Sequence, residues 1–338
     1  DLVFALPAPC ACAGAEAFAR AGVRILAAAG CDALVFGAET PDAALLMETA
    51  RVLCSADYRA ALQQQLACGA RSFAAARQAA VEAVRPGTAL AALLDKPNNN
   101  LAVEYCKAIL EQDAPLTPVP LPRQGAHHGQ ALTESAHAAF ASASALRTLW
   151  AEGGAAALAP YVPEKALELY KQAEYDEKYT DFAVMGRCEL TLLRAACAGP
   201  QPFAQVRGVS EGLEHRLENA VRRCTTLPQL LDELTTVRYP RARMRRLAMD
   251  AALGCTVQTV PDLPPYLHLL GARRESLGLL KDTALPVSHS LARLERQDDA
   301  CARMVQAQAK AADFGALCRK MPAPMGEVYR QKIIFLTN

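Results

Sequence analysis

What this sequence lacks narrows its function before any motif is found. It lacks an excess of charge of either sign: 36 Lys and Arg stand against 35 Asp and Glu, for a formal net charge of +1. The whole molecule is therefore no electrostatic trap for nucleic acid, and any basic patch must be local. It lacks an uninterrupted apolar run of about 18 residues, so no segment reads as a membrane span. It lacks clustered cysteines, although it holds 12 of them. Cys10 and Cys12 form a C-x-C with no second knuckle nearby, and the others are scattered singly, mostly among Ala and Leu. Zinc needs clustered pairs. The expectation is reduced thiols filling small core positions in a cytoplasmic protein, with no metal site and no disulfide partner. The sequence also lacks an internal repeat. Its one compositional bias is alanine, which favours helix.

What is present suits a globular chain with an ample core: 338 residues, 52% hydrophobic and 21% charged, a length that divides most simply into two domains. Residues 2–6 read as a buried strand, ended by Pro7 and Pro9. Residues 14–29 read as a helix with Phe18, Ala21 and Ile25 on one face. Residues 33–36, closed by Gly37, fit a parallel strand covered on both faces. The alanine-rich stretch 42–83 reads as two helices. Pro97 marks a turn, residues 101–111 are helical again, "LTPVPLP" is extended, and another helix begins near Ser142. This alternation predicts an α/β domain with a parallel sheet over residues 1–154. Beyond a proline-bounded junction the period is helical almost throughout. Leu213, Leu217, Val221 and Cys224 make one face, and Leu230 and Leu234 start another. An all-helical domain is expected over residues 155–338.

Five stretches carry possible chemistry. Gly37 ends a parallel strand, where a glycine either lets a ligand approach closely or simply serves the turn. In "KPNNN" the three asparagines cannot all cap one helix. Asn99 or Asn100 is the natural N-cap of a helix starting near Leu101, and a leftover amide suits a base or ribose hydroxyl. In "RQGAHHG", Arg123 can fork onto a phosphate or carboxylate. The adjacent His127 and His128 diverge and cannot chelate one ion well. In "ASASALR", Ser142, Ser144 and Arg147 either gather hydroxyls, N–H groups and a charge into a phosphate nest or form an ordinary cap beside an exposed arginine. Last, "VRYPRARMRRL" packs Arg238, Arg241, Arg243, Arg245 and Arg246 into one stretch with few acids nearby. A helix starting near Pro240 places Met244, Leu247, Ala248 and Ala251 on one face and arginines on the sides and back. That is a phosphate-reading surface for RNA, with Tyr239 available to stack on a base.

In order and rough spacing, "DLVFALP", "LVFGAE", "KPNNNLAVEY", "RQGAHHG", "ASASALR", "PYVPE", "EGLEHRL", "RYPRARMRRL" and "YLHLLG" resemble the tRNA(Met) cytidine acetate ligase family over essentially the whole chain. The resemblance implies a Rossmann-like fold akin to HxGH-type nucleotidyltransferases, with ATP on the α/β domain and tRNA on the helical one. It implies activation of acetate by ATP to acetyl-adenylate, with release of pyrophosphate. The acetyl group then passes to the wobble cytidine of elongator tRNA(Met), giving N4-acetylcytidine without acetyl-CoA. By position, Gly37, Asn98, Arg123, Ser142, Ser144 and Arg147 fall on the family's ATP-binding segments, and Mg2+ is expected on the phosphates. The family's two histidines lie in a βα unit ahead of "DLVFALP". That motif does not occur in this sequence, so no catalytic residue is assigned, and the chain as given is expected to bind ATP poorly and to form no acetyl-adenylate. The chain also departs from the family pattern at Ala5, Asn100, Ala102 and Gly129, where Glu, Ile, Gly and Asp are usual. Two other readings stand beside this one: an adenylating enzyme with another acceptor, and a non-catalytic RNA-binding protein.

Overall fold

The computed structural model describes residues 1–123, 141–210 and 212–336. His127, His128 and Gly129 lie outside these. The chain opens with β1 (Leu2–Ala5), a single turn α1 (Ala8–Ala11), α2 (Ala15–Ala28) and β2 (Ala33–Ala38). Three helices follow where two were expected: α3 (Ala43–Cys54), α4 (Ala56–Ala67) and α5 (Phe73–Val84). Serines make the extra breaks. Ser55 is extended, with φ −73° and ψ 155°, and its Oγ accepts from the Tyr58 N–H, so it ends one helix and caps the next. Ser72 caps α5 in the same way through Ala75. An alanine-rich run hides such breaks because only the cap residue signals them.

A short α6 (Leu90–Leu93) leads into α7 (Pro97–Glu111) and β3 (Thr117–Pro122). β3 runs parallel to β2, with Ala33 opposite Thr117 and Gly37 opposite Leu121. Pro118, Pro120 and Pro122 cannot donate to a ladder, which suits a strand paired on one side. Among the described residues β3 pairs with β2 alone. The expectation that β2 is covered on both faces is corrected. Leu34, Phe36 and Ala38 are buried, whereas Ala33, Val35 and Gly37 are exposed. One face packs on α3 and α7 through Leu46, Val103, Cys106 and Ile109, and Phe36 lies 5.4 Å from the Tyr105 ring.

The second half begins with α8 (Ala143–Gly153), α9 (Glu164–Tyr175) and α10 (Phe182–Ala196), then α11 (Leu213–Arg223), α12 (Leu227–Leu234) and α13 (Arg241–Leu253). The expected helix faces form its core. Leu213, Leu217, Val221 and Cys224 are buried with Leu230, Leu234, Met244 and Leu247. Burying a leucine side chain of this kind stabilises by roughly 1.5–3 kcal/mol.

Helical period then gives way. β4 (Leu267–Ala272) holds "LHLLGA" and pairs antiparallel with β1, Leu2 facing Ala272 and Ala5 facing His268. β5 (Val287–Ser288) and β6 (Ile334–Phe335) flank β4 in parallel, with α14 (Leu291–Glu295) and α15 (Asp299–Leu317) between them. A short run that is buried nearly throughout carries no period, so sequence alone does not separate such a strand from a core helix. The β1–β4 pairing ties the two halves of the chain into one sheet.

Candidate functional site

The carboxyl end of β2 brings three of the expected residues together. Gly37 has no left-handed φ, and a Cβ added there would meet nothing within 4 Å. Neither the turn nor the packing demands glycine at 37. Two residues later, Glu39 reaches across to the start of α7. Its Oε1 accepts from the Asn98 Nδ2 at 2.6 Å and the Asn98 backbone N–H at 3.2 Å, and its Oε2 accepts from the Asn99 N–H at 2.7 Å. Arg123 completes the group. Its Nη1 donates to the Asn98 Oδ1 at 2.5 Å, and its backbone N–H donates to the carbonyl of Ala38.

This arrangement corrects the capping expectation. α7 starts at Pro97, with Lys96 as N-cap and no capping side chain of its own. Proline tolerates the first helical position because its missing N–H has no partner there in any helix. The orphan N–H groups of Asn98 and Asn99 go to a carboxylate from another element, at the end where the helix dipole favours negative charge. Burial alone would raise the Glu39 carboxyl. The hydrogen bonds from Asn98 and Asn99 outweigh it and hold the group below its ordinary value.

The three asparagines therefore have separate tasks. Asn98 links Glu39 to Arg123. Asn99, 1% exposed, accepts from the Thr40 N–H and donates to the Thr40 hydroxyl. Asn100 donates to the carbonyls of Leu94 and Lys96 and closes the α6–α7 turn. Of the other departures noted in the sequence, Ala5 pairs with His268 on β4 and Ala102 is buried in α7.

Ser142 is the N-cap of α8: its Oγ accepts from the Ala145 N–H at 3.2 Å, and it is buried. Ser144 and Arg147 are exposed in the first turns of α8. No hydrogen bond or ion pair among the described residues joins this trio to Asn98 or Arg123. Likewise, no group of His, Cys, Asp and Glu among the described residues could hold a metal ion. Three of the roughly four acceptor sites of the Glu39 carboxylate go to α7, which leaves it little to offer a magnesium ion.

The arginine stretch divides. Pro240 precedes α13 as expected, and Met244, Leu247, Ala248 and Ala251 are buried. Arg241 is ion-paired with Asp232. Arg245 is exposed, and its charge acts on the buried Glu189, whose carboxyl burial pushes up to about 7. The guanidiniums of Arg238 and Arg243 lie 5.9 and 5.2 Å from the Tyr239 ring centroid, and Arg243 donates to the Ser210 hydroxyl. Tyr239 is itself buried. Its ring organises two arginines, so the expectation of a base-stacking tyrosine is corrected. The expectation of few neighbouring acids is corrected too, since Asp232 meets Arg241 and Asp250 meets Arg207 at 2.8 Å. Arg238, Arg243 and Arg246 line one groove.

Sequence reasoning missed Glu39. The only signal was an acid two residues beyond the strand glycine, and its partners lie 59 and 60 residues away.

A family model described as HIGH Nucleotidyl Transferase matches residues 1–327. The tRNA(Met) cytidine acetate ligase of Acetivibrio thermocellus is 27% identical, over 99% of this chain and 85% of that protein. The protein of the same name from Caldanaerobacter subterraneus subsp. tengcongensis is 28% identical, over 85% of this chain and 72% of that protein. Two crystal structures of Thermotoga maritima TmcAL share the fold. The one bound with alpha-thio ATP has a TM-score of 0.86 at 23% identity, covering 100% of this chain and 84% of that chain. The apo form has a TM-score of 0.88 at 24% identity, covering 100% and 85%.

Proposed function

This chain belongs to the HIGH nucleotidyl transferase family, and on that premise we propose that it is an ATP-dependent acetate ligase acting on tRNA. In this reading acetate attacks the α-phosphorus of ATP and pyrophosphate leaves; the exocyclic amine of the wobble cytidine of elongator tRNA(Met) then takes the acetyl group from the adenylate, with release of AMP and a proton. The observation that carries the reading is the meeting of Gly37, Asn98 and Arg123 at the carboxyl ends of β2 and β3, the edge where open α/β sheets take ligands. The relatives named tRNA(Met) cytidine acetate ligase supply the reaction.

The roles follow from the contacts. Gly37 leaves open space above the strand end for the nucleotide. Arg123 offers an exposed guanidinium to phosphate oxygens. Asn98 touches Glu39 with one end of its amide and Arg123 with the other. It is a positioning residue: it holds the arginine's fork against a helix start that Glu39 has already fixed. Adenylation moves few protons. It needs an in-line carboxylate and charge placed in advance on the triphosphate. The exposed Ser144 and Arg147, with the cap at Ser142, are assigned to a second phosphate contact at α8. Magnesium is assigned to the triphosphate and not to a protein cage, since this ion keeps its waters and few protein ligands. Arg238, Arg243 and Arg246 are assigned to the tRNA backbone. Residues 1–154 then hold mainly the nucleotide and residues 155–338 mainly the RNA.

The test is direct. The protein produced from its whole gene is incubated with ATP, labelled acetate and unfractionated tRNA, and the nucleosides are separated by mass spectrometry. N4-acetylcytidine that depends on both ATP and acetate supports the reading. Its absence, with label found in no other nucleoside, overturns it.

A further inference from the structure

A groove of about 740 Å3 runs between the start of α2, the turn from α4 to α5, and α13, within the range of sites that hold small ligands. Its walls differ in chemistry and come from different halves of the chain. One wall carries Arg243 and Arg246 of α13, with Arg238 just before it. The other carries Leu66 of α4, 45% exposed, and Phe73 at the first position of α5, 53% exposed. Among the described residues, the two acids that line the groove are already partnered, Glu16 by Lys107 and Asp250 by Arg207. Arg243 and Arg246 therefore bring positive charge to this wall. Ser72 caps α5 and fixes the backbone from which Phe73 projects.

A single exposed phenylalanine needs no explanation on a protein surface. One that shares a groove with arginines matches a particular ligand. A duplex phosphate ridge asks only for cations. A single strand of RNA asks for cations along its phosphates and for a flat apolar surface under an unstacked base. We propose that this groove takes a single-stranded segment of RNA, with phosphates on Arg243 and Arg246 and one base against Phe73. The α/β half then reads RNA together with α13. The inference rests on the reading that the acceptor is a tRNA, whose wobble cytidine lies in a single-stranded loop.

The test is fluorescence anisotropy over a salt series, with a labelled cytidine octamer, a 16-base-pair RNA duplex and unfractionated tRNA as probes. The octamer is expected to bind at least tenfold more tightly than the duplex. Phe73→Ala is expected to weaken octamer and tRNA binding about 5- to 100-fold with an unchanged salt slope, and Phe73→Tyr to restore it. Arg243→Gln with Arg246→Gln is expected to lower the slope by about 1.4, roughly 0.7 for each single-strand phosphate left without its arginine. Arg59→Gln, on α4 outside the groove, is expected to change neither.

Unchanged binding in Phe73→Ala, or a duplex bound as tightly as the octamer, overturns the proposal. So does an equal loss in Arg59→Gln. The underlying reading fails separately. A wild-type protein produced from its whole gene that binds the octamer but acetylates no tRNA sinks the acceptor assignment and leaves the groove standing. Acetylation that is normal in Phe73→Ala sinks the groove alone.

Discussion

Glu39 accepts three hydrogen bonds from Asn98 and Asn99, so it governs both the start of α7 and the pose of Arg123. Glu39→Gln removes the charge and one acceptor oxygen. A loss of about 1–3 kcal/mol is expected, read from the urea midpoint. Its carboxyl is held below the ordinary value of 4.5. Its contribution is thus fully present above that pH and fades as pH falls through the lowered value. Glu189 behaves oppositely. It is 1% exposed with an unpartnered Oε1, and burial raises its carboxyl from 4.5 to about 7. Between those values the unfolded chain binds fewer protons than the folded one, so stability falls as pH rises through that window. The cost at pH 8 is about 3 kcal/mol at most. Glu189→Gln should therefore melt higher than the wild type at pH 8 and close to it at pH 4.5, and equal melting at pH 8 would show that the group is not raised. Arg123→Ala should weaken ATP binding by about 10- to 100-fold in calorimetry, the scale of a charged hydrogen bond.

Elements differed in how far they could be read. α13 was legible because Met244, Leu247, Ala248 and Ala251 recur at helical spacing, and α11 for the same reason. The start of α7 was misplaced because Pro97 reads equally as a turn or as a first helical residue, and only Glu39, distant in sequence, decides. The serine breaks at Ser55 and Ser72 were lost in alanine. β4 was missed because Tyr266, Leu267 and Leu269 are buried together and show no period. Its place in the fold yields its own test. Leu267 is fully buried on the strand that pairs with β1, so Leu267→Ala should cost about 2–5 kcal/mol in denaturant unfolding. A loss below about 1 kcal/mol would mean that the sheet does not join the two halves.

At the scale of the molecule, a nearly neutral chain sets Arg238, Arg243 and Arg246 along one groove beside α13, while Arg241 pairs with Asp232 instead. Composition predicted that any such patch must be local. Which arginines compose it depends on tertiary neighbours that no sequence window contains. The candidate site was legible in part: Gly37, Asn98 and Arg123 stand out in the sequence and meet in space, whereas Phe73, in the separate groove, gives no signal, because only the fold sets it opposite arginines. The central claim is that ATP and acetate react at the carboxyl edge of β2 and β3. Pyrophosphate exchange into ATP, measured with and without acetate on the protein produced from its whole gene, tests it most directly. The account predicts exchange that requires acetate, needs no tRNA, and falls in Arg123→Ala. Absence of exchange with acetate or any other small carboxylate would contradict it.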